Sequence, residues 1–363
     1  MAENNKLETL QLYIHPNNLR ELKSDIWCED PVPAQLKISG KKLEVDVNYR
    51  GSHIRNYRKK SYEISFFKPT KYKGSKIIHL NAEYRDPSLL RNKLSFDFFS
   101  EIGNLSPYSR HVLLNLNGKT EGVYLEIESV DEQFIERRKL PNGAIFYAVD
   151  GDANFSLISD LDKETKKSLE LGYERKYGTA NDDIFLQELI FKINTIPRAD
   201  FEKEIPNYLN VEQYFRWMAG VILTQNYDGF VHNYSLYRNS VTRQFEIIPW
   251  DYDATWGRDV NGKVMEENYV PIQGYNTLTA RLLDVANFRK IYKELLCKIM
   301  DHQFTVEYMQ PKIESMHQLV RPYVLLDPYK KEKIDQFDIE PSNICSFIES
   351  RKRFLKGSLY KLD

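Results

Sequence analysis

Cysteine is scarce in this sequence: only Cys28, Cys297 and Cys345 occur in 363 residues, far apart and outside any CxxC or Cys/His spacing. A disulfide framework and a zinc site are therefore not expected. A charge excess is also missing. Lys and Arg total 51 against 52 Asp and Glu, a net charge of -1, so no global field draws the chain to nucleic acid or to an anionic membrane. Neither is expected as a partner, and any anion site must be local. No apolar run approaches the roughly 18 residues needed to span a bilayer. The stretch from Met1 to Leu10 is polar and mixed in charge, where a secretory signal would carry a basic flank and an apolar core. Synthesis in the cytosol without a signal peptide is the expectation. Internal repeats and low-complexity tracts are missing as well. What is present is 42% hydrophobic and 13% aromatic residues, enough to bury a large core in one domain or two packed ones.

Short, partly alternating segments separated by Gly, Pro or charge dominate the front of the chain: Ala34 to Ser39, Leu43 to Tyr49, Ser61 to Phe67 and Lys76 to Leu80. They read as an antiparallel sheet. Asp86-Pro87-Ser88 predicts a helix start, with Asp86 as N-cap and Pro87 at the first helical position, leading into Leu89, Leu90, Leu94, Phe98 and Phe99. His111 to Asn117 and Thr120 to Glu128 form a predicted hairpin, because Asn117-Gly118 tolerates the positive φ of a tight turn. Ala144 to Val149 adds a strand. From Asp150 to Thr179 the sequence is polar with few periodic apolar positions, which predicts a loop or a poorly packed excursion and a domain boundary nearby. Helical spacing follows over Asp183 to Ile196 and Val211 to Thr224, then two strands, Asn233 to Arg238 and Gln244 to Trp250, then mainly helix from Asn276 onward. Strands first and helices later, around one embedded hairpin, make the class α+β.

That hairpin carries the chemistry. Asp228 lies in the connection after a predicted helix, Asn233 five residues on at the start of a strand, and Asp251 at the exit of the next strand, so the two strand ends meet. Phosphoryl transfer needs one carboxylate to orient or accept the proton of the attacking hydroxyl. It also needs hard oxygen ligands, here Asn233 and Asp251, to hold Mg²⁺ against ATP phosphates. Protein kinases place an Asp and an Asn with this spacing in the catalytic loop and a metal-binding Asp after the following hairpin. The spacing alone is weak. Asp228 also fits a helix terminator, Asn233 a turn residue, and Asp251 with Asp253 solvated acids or ligands of a structural cation.

In the front half, Lys60 falls by period two on the apolar face of Tyr62, Ile64 and Phe66. A lysine there either snorkels to the edge or points into a cleft where it neutralises phosphate. Just upstream, Gly51, Ser52 and Arg55 sit in a turn between strands suited to covering phosphates, although no GxGxxG is present and a solvated basic loop fits equally.

Across these segments the sequence resembles the CotH family of atypical, secretory-pathway-kinase-like protein kinases. The motifs that carry the resemblance are Tyr49 to Arg55, Lys59 to Tyr62, His79 to Tyr84, Asp86 to Leu94, Gly122 to Glu126, Asn226 to Tyr234 and Pro249 to Gly257. They cover nearly the whole chain in order. The resemblance implies a protein-kinase-like fold with a strand-rich N-terminal lobe (1–150) and a mainly helical C-terminal lobe (151–363). It implies an ATP-dependent kinase that uses Mg²⁺ or Mn²⁺ and is made in the mother cell of a spore-forming bacterium. Its expected partners are Ser-rich, basic spore coat proteins, which it would phosphorylate on serine to direct coat assembly. Carried over by motif, Asp228 is the catalytic carboxylate, Asn233 and Asp251 are metal ligands, and Lys60, Ser52 and Arg55 bind phosphate. Tyr147 and Trp250 are the candidates to stack on adenine, although an aromatic at a strand end is more often core. Glu101 or Asp97 could pair with the lysine. Ordinary kinases have His-Arg before the catalytic Asp, Phe-Gly after the metal-binding Asp, and an Ala-Pro-Glu element; all three are missing here. A non-catalytic assembly module and an enzyme that transfers AMP remain the alternatives.

Overall fold

Period-two alternation builds the first third of the molecule. The computed structural model describes residues 6–67 and 72–363, so Met1 to Asn5, half of the stretch read for a signal, lie outside the described residues. Strand β1 (Glu8–Ile14) is followed by helix α1 (Pro16–Ser24) and by β2 (Val32–Ile38), β3 (Lys41–Tyr49), β4 (Tyr62–Phe66) and β5 (Ile77–Asn81). Helix α2 (Arg91–Glu101) leads to the hairpin β6 (Ser109–Leu116) and β7 (Lys119–Glu128), then α3 (Glu132–Arg138), β8 (Gly143–Ala148) and β9 (Tyr173–Tyr177). Helices α4 (Asp183–Thr195), α5 (Arg198–Glu204) and α6 (Val211–Thr224) precede a second hairpin, β10 (Tyr234–Asn239) and β11 (Phe245–Pro249). Then come α7 (Thr277–Leu283), α8 (Ala286–His302), α9 (Val306–Val324) and α10 (Ile334–Ser358). The class is α+β. Among the described residues no helix is long and apolar enough to cross a membrane.

The chain divides into two compact units, the first made of Met1–Lys93, Tyr108–Ser129 and Pro311–Ser342, the second of Leu94–Pro107, Val130–Gln310 and Asn343–Asp363. Residue 150, the expected boundary, falls inside the second unit. Three of the crossings lie in helices: between Lys93 and Leu94 in α2, at Pro311 in α9 and one residue beyond Pro341 in α10; at the last two, proline removes a backbone donor.

In the first unit the strands close into a barrel of order β1-β2-β3-β4-β5-β7-β6, sealed by the parallel pairing of β1 with β6. Alternate residues fill it, among them Leu12, Leu36, Val47, Ile64, Leu80 and Leu114, all essentially without exposure. The β6–β7 turn is the expected one, with Asn117 and Gly118 at φ of 49° and 78°. Helix α2 starts later than its sequence suggests. Leu89 adopts a left-handed conformation, so residues 86–90 form a turn, and the buried Asp86 is not an N-cap of Pro87. Its carboxylate instead accepts from the backbone of Ser88 and Arg91 (2.9 and 3.0 Å) and pairs with the Arg91 guanidinium at 2.6 Å. Arg91 also meets Glu340 at 2.6 Å. A second buried pair joins Lys59 to Asp327 at 2.9 Å, with Lys59 Nζ also donating to the Val123 carbonyl. Burial holds the Lys59 amine below its ordinary pKa against the opposing pull of Asp327. Asp327 further accepts from the amides of Val123 and Tyr329. Gly122 must lack a side chain, because a Cβ there would lie 2.1 Å from the Asp327 carboxylate.

In the second unit a four-stranded sheet of order β11-β10-β8-β9 packs with helices, above all α6, whose Trp217, Met218 and Val221 are fully buried. The polar stretch after Asp150 is better packed than its composition suggests. It includes β9, and its few apolar residues are placed where they count: Ala153 and Phe155 are fully buried, and Phe155 stacks on Tyr234 at 5.5 Å. Asp152 accepts from Ser159 Oγ and the amide of Asp160, and Lys166 donates to Asp152 and Asn154. Hydrogen bonds replace the missing hydrophobic periodicity.

Two expectations test the first unit. Lys59→Ala leaves Asp327 buried without its cation and lowers stability by about 3–5 kcal/mol in urea titration, whereas Lys59→Met with Asp327→Leu removes the unpaired charge but takes the acceptor from the Val123 and Tyr329 amides, and so recovers only part of that loss. Burial also pushes the pKa of His111, bonded at 2.7 Å to the Leu89 carbonyl, down from 6.5 to about 4. The unfolded chain therefore takes up this proton first, and stability falls as pH drops from about 6.5 to about 4, by of order 3 kcal/mol from this group. Denaturation at stepped pH should show that His111→Gln removes this share of the acid sensitivity.

Candidate active site

Pairing between β10 and β11 sets Tyr234 opposite Pro249, which leaves Asn233 and Trp250 at the adjoining strand ends, with the Trp250 amide donating to the Asn233 carbonyl at 3.0 Å. Asp251 follows at once. Asn233 and Asp251 both hold left-handed backbone, φ 61° and 57°, a conformation that Asn and Asp tolerate better than other side-chain-bearing residues. Such conformations are kept where neighbouring contacts over-determine them. Here the following segment is pinned: Thr255 bonds the Tyr252 carbonyl at 2.6 Å, the Trp256 amide bonds Thr224 at 2.8 Å, and the Trp256 indole bonds Ser95 at 2.9 Å.

Asp228 opens a short 3₁₀ turn (Asp228–Phe230) beyond the C-terminus of α6, and its carbonyl accepts from the amides of Val231 and His232. Its side chain is half-buried. What joins this turn to the strand end is Asn226, a buried residue that the sequence reading quoted only as part of a motif. Its Oδ1 accepts from the Gly229 amide at 3.0 Å and its Nδ2 donates to the Asp251 carbonyl at 3.3 Å. One amide thus fixes the Asp228 turn against the Asp251 backbone. A hydrophilic residue in a predicted connection gave no signal of burial; its place two before Asp228 is the only hint.

Asn233 and Asp251 are therefore adjacent at the strand ends, and Asn226 ties the turn that begins at Asp228 to the Asp251 backbone, all within the second unit. Among the described residues no group of three or more His, Cys, Asp or Glu could hold a metal. The donors at the strand ends are one carboxylate and one amide oxygen, a hard set that fits a cation completing its shell with water and phosphate, the habit of Mg²⁺.

The other candidates are distributed as follows. Tyr147 and Trp250 do meet, ring centroids 5.2 Å apart, but within an apolar cluster that includes Phe134, Ile145, Tyr237 and Ile248. The Tyr147 hydroxyl accepts from the Val130 amide at 2.9 Å, so this ring is embedded in the core. In the first unit, Tyr62, Ile64 and Phe66 face the barrel interior as expected, but β4 begins at Tyr62 and Lys60 lies just before it. The Lys60 amine donates to the Arg55 carbonyl, and burial lowers its pKa. Arg55 is buried and directed inward, donating to the carbonyls of Gly51 (2.6 Å) and Ile26 (3.3 Å). Ser52 is exposed beside His53. Glu101 is exposed at the end of α2 and Asp97 half-buried within it.

Comparison with known proteins settles the family. The family model described as CotH kinase protein matches residues 47–355. The chain belongs to the CotH kinase protein family. It is 59% identical over 359 residues to the inner spore coat protein H of Bacillus subtilis (strain 168), with 99% of each chain covered. It is 29% identical over 311 residues to an inner spore coat protein H-like protein of the same organism, covering 84% of this chain and 87% of that one. Among solved structures, the Helicobacter pylori proinflammatory kinase CtkA aligns over 81% of this chain and 95% of its own, at 11% identity and a TM-score of 0.33.

Because Asn226 satisfies a buried amide, Asn226→Ala is expected to cost about 1–3 kcal/mol of stability, measured by chemical denaturation. Asn226→Asp keeps an acceptor for Gly229 but buries a carboxylate 3.3 Å from the Asp251 carbonyl oxygen, so its loss should be at least as large.

Proposed function

We propose that this CotH kinase family member is an ATP- and Mg²⁺-dependent protein serine kinase with Asp228 as its catalytic carboxylate. The observation that supports the reading is the placement of Asn233 and Asp251 at adjoining ends of the β10–β11 hairpin, tied by Asn226 to the turn that begins at Asp228. Asp228 accepts the proton of the serine hydroxyl as its oxygen bonds to the γ-phosphorus. The bond from that phosphorus to the bridging oxygen breaks, and ADP leaves with the electron pair. Asn233 and Asp251 would hold the metal, which would supply neutralisation of the charge developing on the phosphates. Lys60 is the proposed phosphate-neutralising cation, and its bond to the Arg55 carbonyl is the contact it exchanges on binding nucleotide. Ser52 is available as a further phosphate contact, whereas the inward bonds of Arg55 give it the task of shaping the turn below Lys60. The buried setting of Tyr147 favours a core role over adenine stacking.

The names of the two Bacillus subtilis relatives support a role at the spore coat. The proposed substrates are Ser-rich, basic coat proteins, with synthesis in the mother cell and assembly into the coat.

Transfer of label from γ-labelled ATP to a Ser-rich basic protein tests the reading. Asp228→Asn should slow transfer by about 100- to 10,000-fold, and Asp251→Ala by roughly a thousandfold or more through loss of metal-held charge neutralisation. Intact mass spectrometry should show one phosphate gained per event. Equal labelling by wild type and Asp251→Ala, or a gain of AMP, would defeat it.

A further inference from the structure

Beside Asp228 the second unit carries a cavity of about 340 Å³ to which nothing described so far gives a task. Its walls are Tyr227, Ala254, Val260, Val264, Met265 and Tyr269, with Asn226 and Asp228 at the side of the proposed chemistry and Asp259 completing the lining. Large apolar side chains are held in water here: Val264 is 76% exposed, Tyr269 55%, and Val260 and Tyr227 44% each. Exposed apolar residues gathered at one place mark a binding surface more often than residues scattered singly.

Charge decides what the surface can bind. Asp228 and Asp259 are the two ionisable carboxylates in the lining, and no Lys, Arg or His lines it. Asp259 is built in rather than adventitious. Its Oδ1 accepts from the amides of Asn261 (2.9 Å) and Lys263 (2.8 Å). The turn is closed by the Gly262 amide on the Asp259 carbonyl (2.8 Å), by the Asp259 amide on the Lys263 carbonyl (2.9 Å) and by the bridge of Arg258 to Val264. An acidic occupant is repelled. A purely aliphatic one strips water from two carboxylates without compensation. A lysine or arginine side chain suits both features, laying its methylene stem along Val264 and Met265 and presenting its cation to the carboxylates. Tyr227 and Tyr269, whose ring centroids lie 5.2 Å apart, add π-faces that attract the same charge.

We infer that this cavity is the subsite that receives a basic side chain close in sequence to the acceptor serine. The inference rests on the reading of Asp228 as the acceptor-orienting carboxylate, because that residue in the wall is what brings the cavity's occupant next to the reacting hydroxyl. Asp259 is the specificity-determining residue, and the apolar walls set the length and thickness of the side chain that fits.

Matched serine peptides that differ at one flanking position, lysine, norleucine or glutamate, test this with the full chain. Wild type should favour lysine over norleucine by about fivefold to twentyfold in kcat/KM, and disfavour glutamate further. Asp259→Asn should bring the lysine-to-norleucine ratio close to one while norleucine peptide is still phosphorylated, and Asp259→Lys should reverse the order in favour of glutamate. If the turn does not survive these changes, Val264→Lys puts a cation on the cavity wall without touching Asp259 and must lower the lysine preference likewise. An unchanged ratio in all three variants overturns the inference, as does a wild-type preference for norleucine. Fluorescence anisotropy with the same labelled peptides reads the subsite without chemistry. A lysine preference in binding that Asp259→Asn abolishes, with no phosphoryl transfer to any peptide, would sustain the subsite and defeat the kinase reading; transfer without that preference would do the opposite.

Discussion

The antiparallel register that sets Tyr234 against Pro249 governs the arrangement of the candidate active site. With those two residues paired, Asn233 and Asp251 leave the sheet at its edge, and both turn through left-handed backbone to do so. A shift of one residue would reverse which side chains face the core and remove both donors from this edge at once. The sheet is protected against such a slip because β10 is flanked on both sides, by β11 and β8, and because Leu236, Tyr237, Ile247 and Ile248 are fully buried. Asn226 extends the same constraint to the turn that begins at Asp228, so that turn and a strand end are held by one buried amide.

Two neighbouring lysines in the first unit show how far position outweighs residue type. Lys59 is wholly enclosed and neutralised by Asp327, so its charge serves the fold. Lys60, one residue on, is partly exposed, bonded to the Arg55 carbonyl and set over the Tyr49 ring at 5.7 Å, weaker and exchangeable contacts. The same dipeptide thus supplies an anchor and a cation that can change partners.

Much of this was readable in the residues. Alternation at Ala34 to Ser39 and at Leu43 to Tyr49, the Asn117-Gly118 turn, and the apolar spacing of Val211 to Thr224 all gave their elements to within a residue or two, because local periodicity and burial agree there. The strand at Glu8 to Ile14 was passed over because it sits directly behind a polar terminus, and the barrel it closes depends on a parallel pairing more than 100 residues away, which no local pattern encodes. Phe155 and Tyr173 were missed for a different reason: two aromatics in a polar stretch have no period, yet both pack on Tyr234. At the site, spacing nominated Asp228, Asn233 and Asp251, and the hairpin register sets the last two at adjoining strand ends. Asn226, Asp259 and Asp327 were invisible because their significance lies in what they bond or line, not in where they fall along the chain.

The partners Lys59 and Asp327 are separated by 268 positions in the sequence. At typical synthesis rates the ribosome takes about 13 to 54 s to travel between them. The strands of the barrel are therefore complete in the nascent chain well before their buried ammonium has its counter-ion. Until then the lysine end of the barrel lacks the counter-ion it has in the folded protein, so this unit, which includes Pro311–Ser342, cannot be complete before that late segment is made.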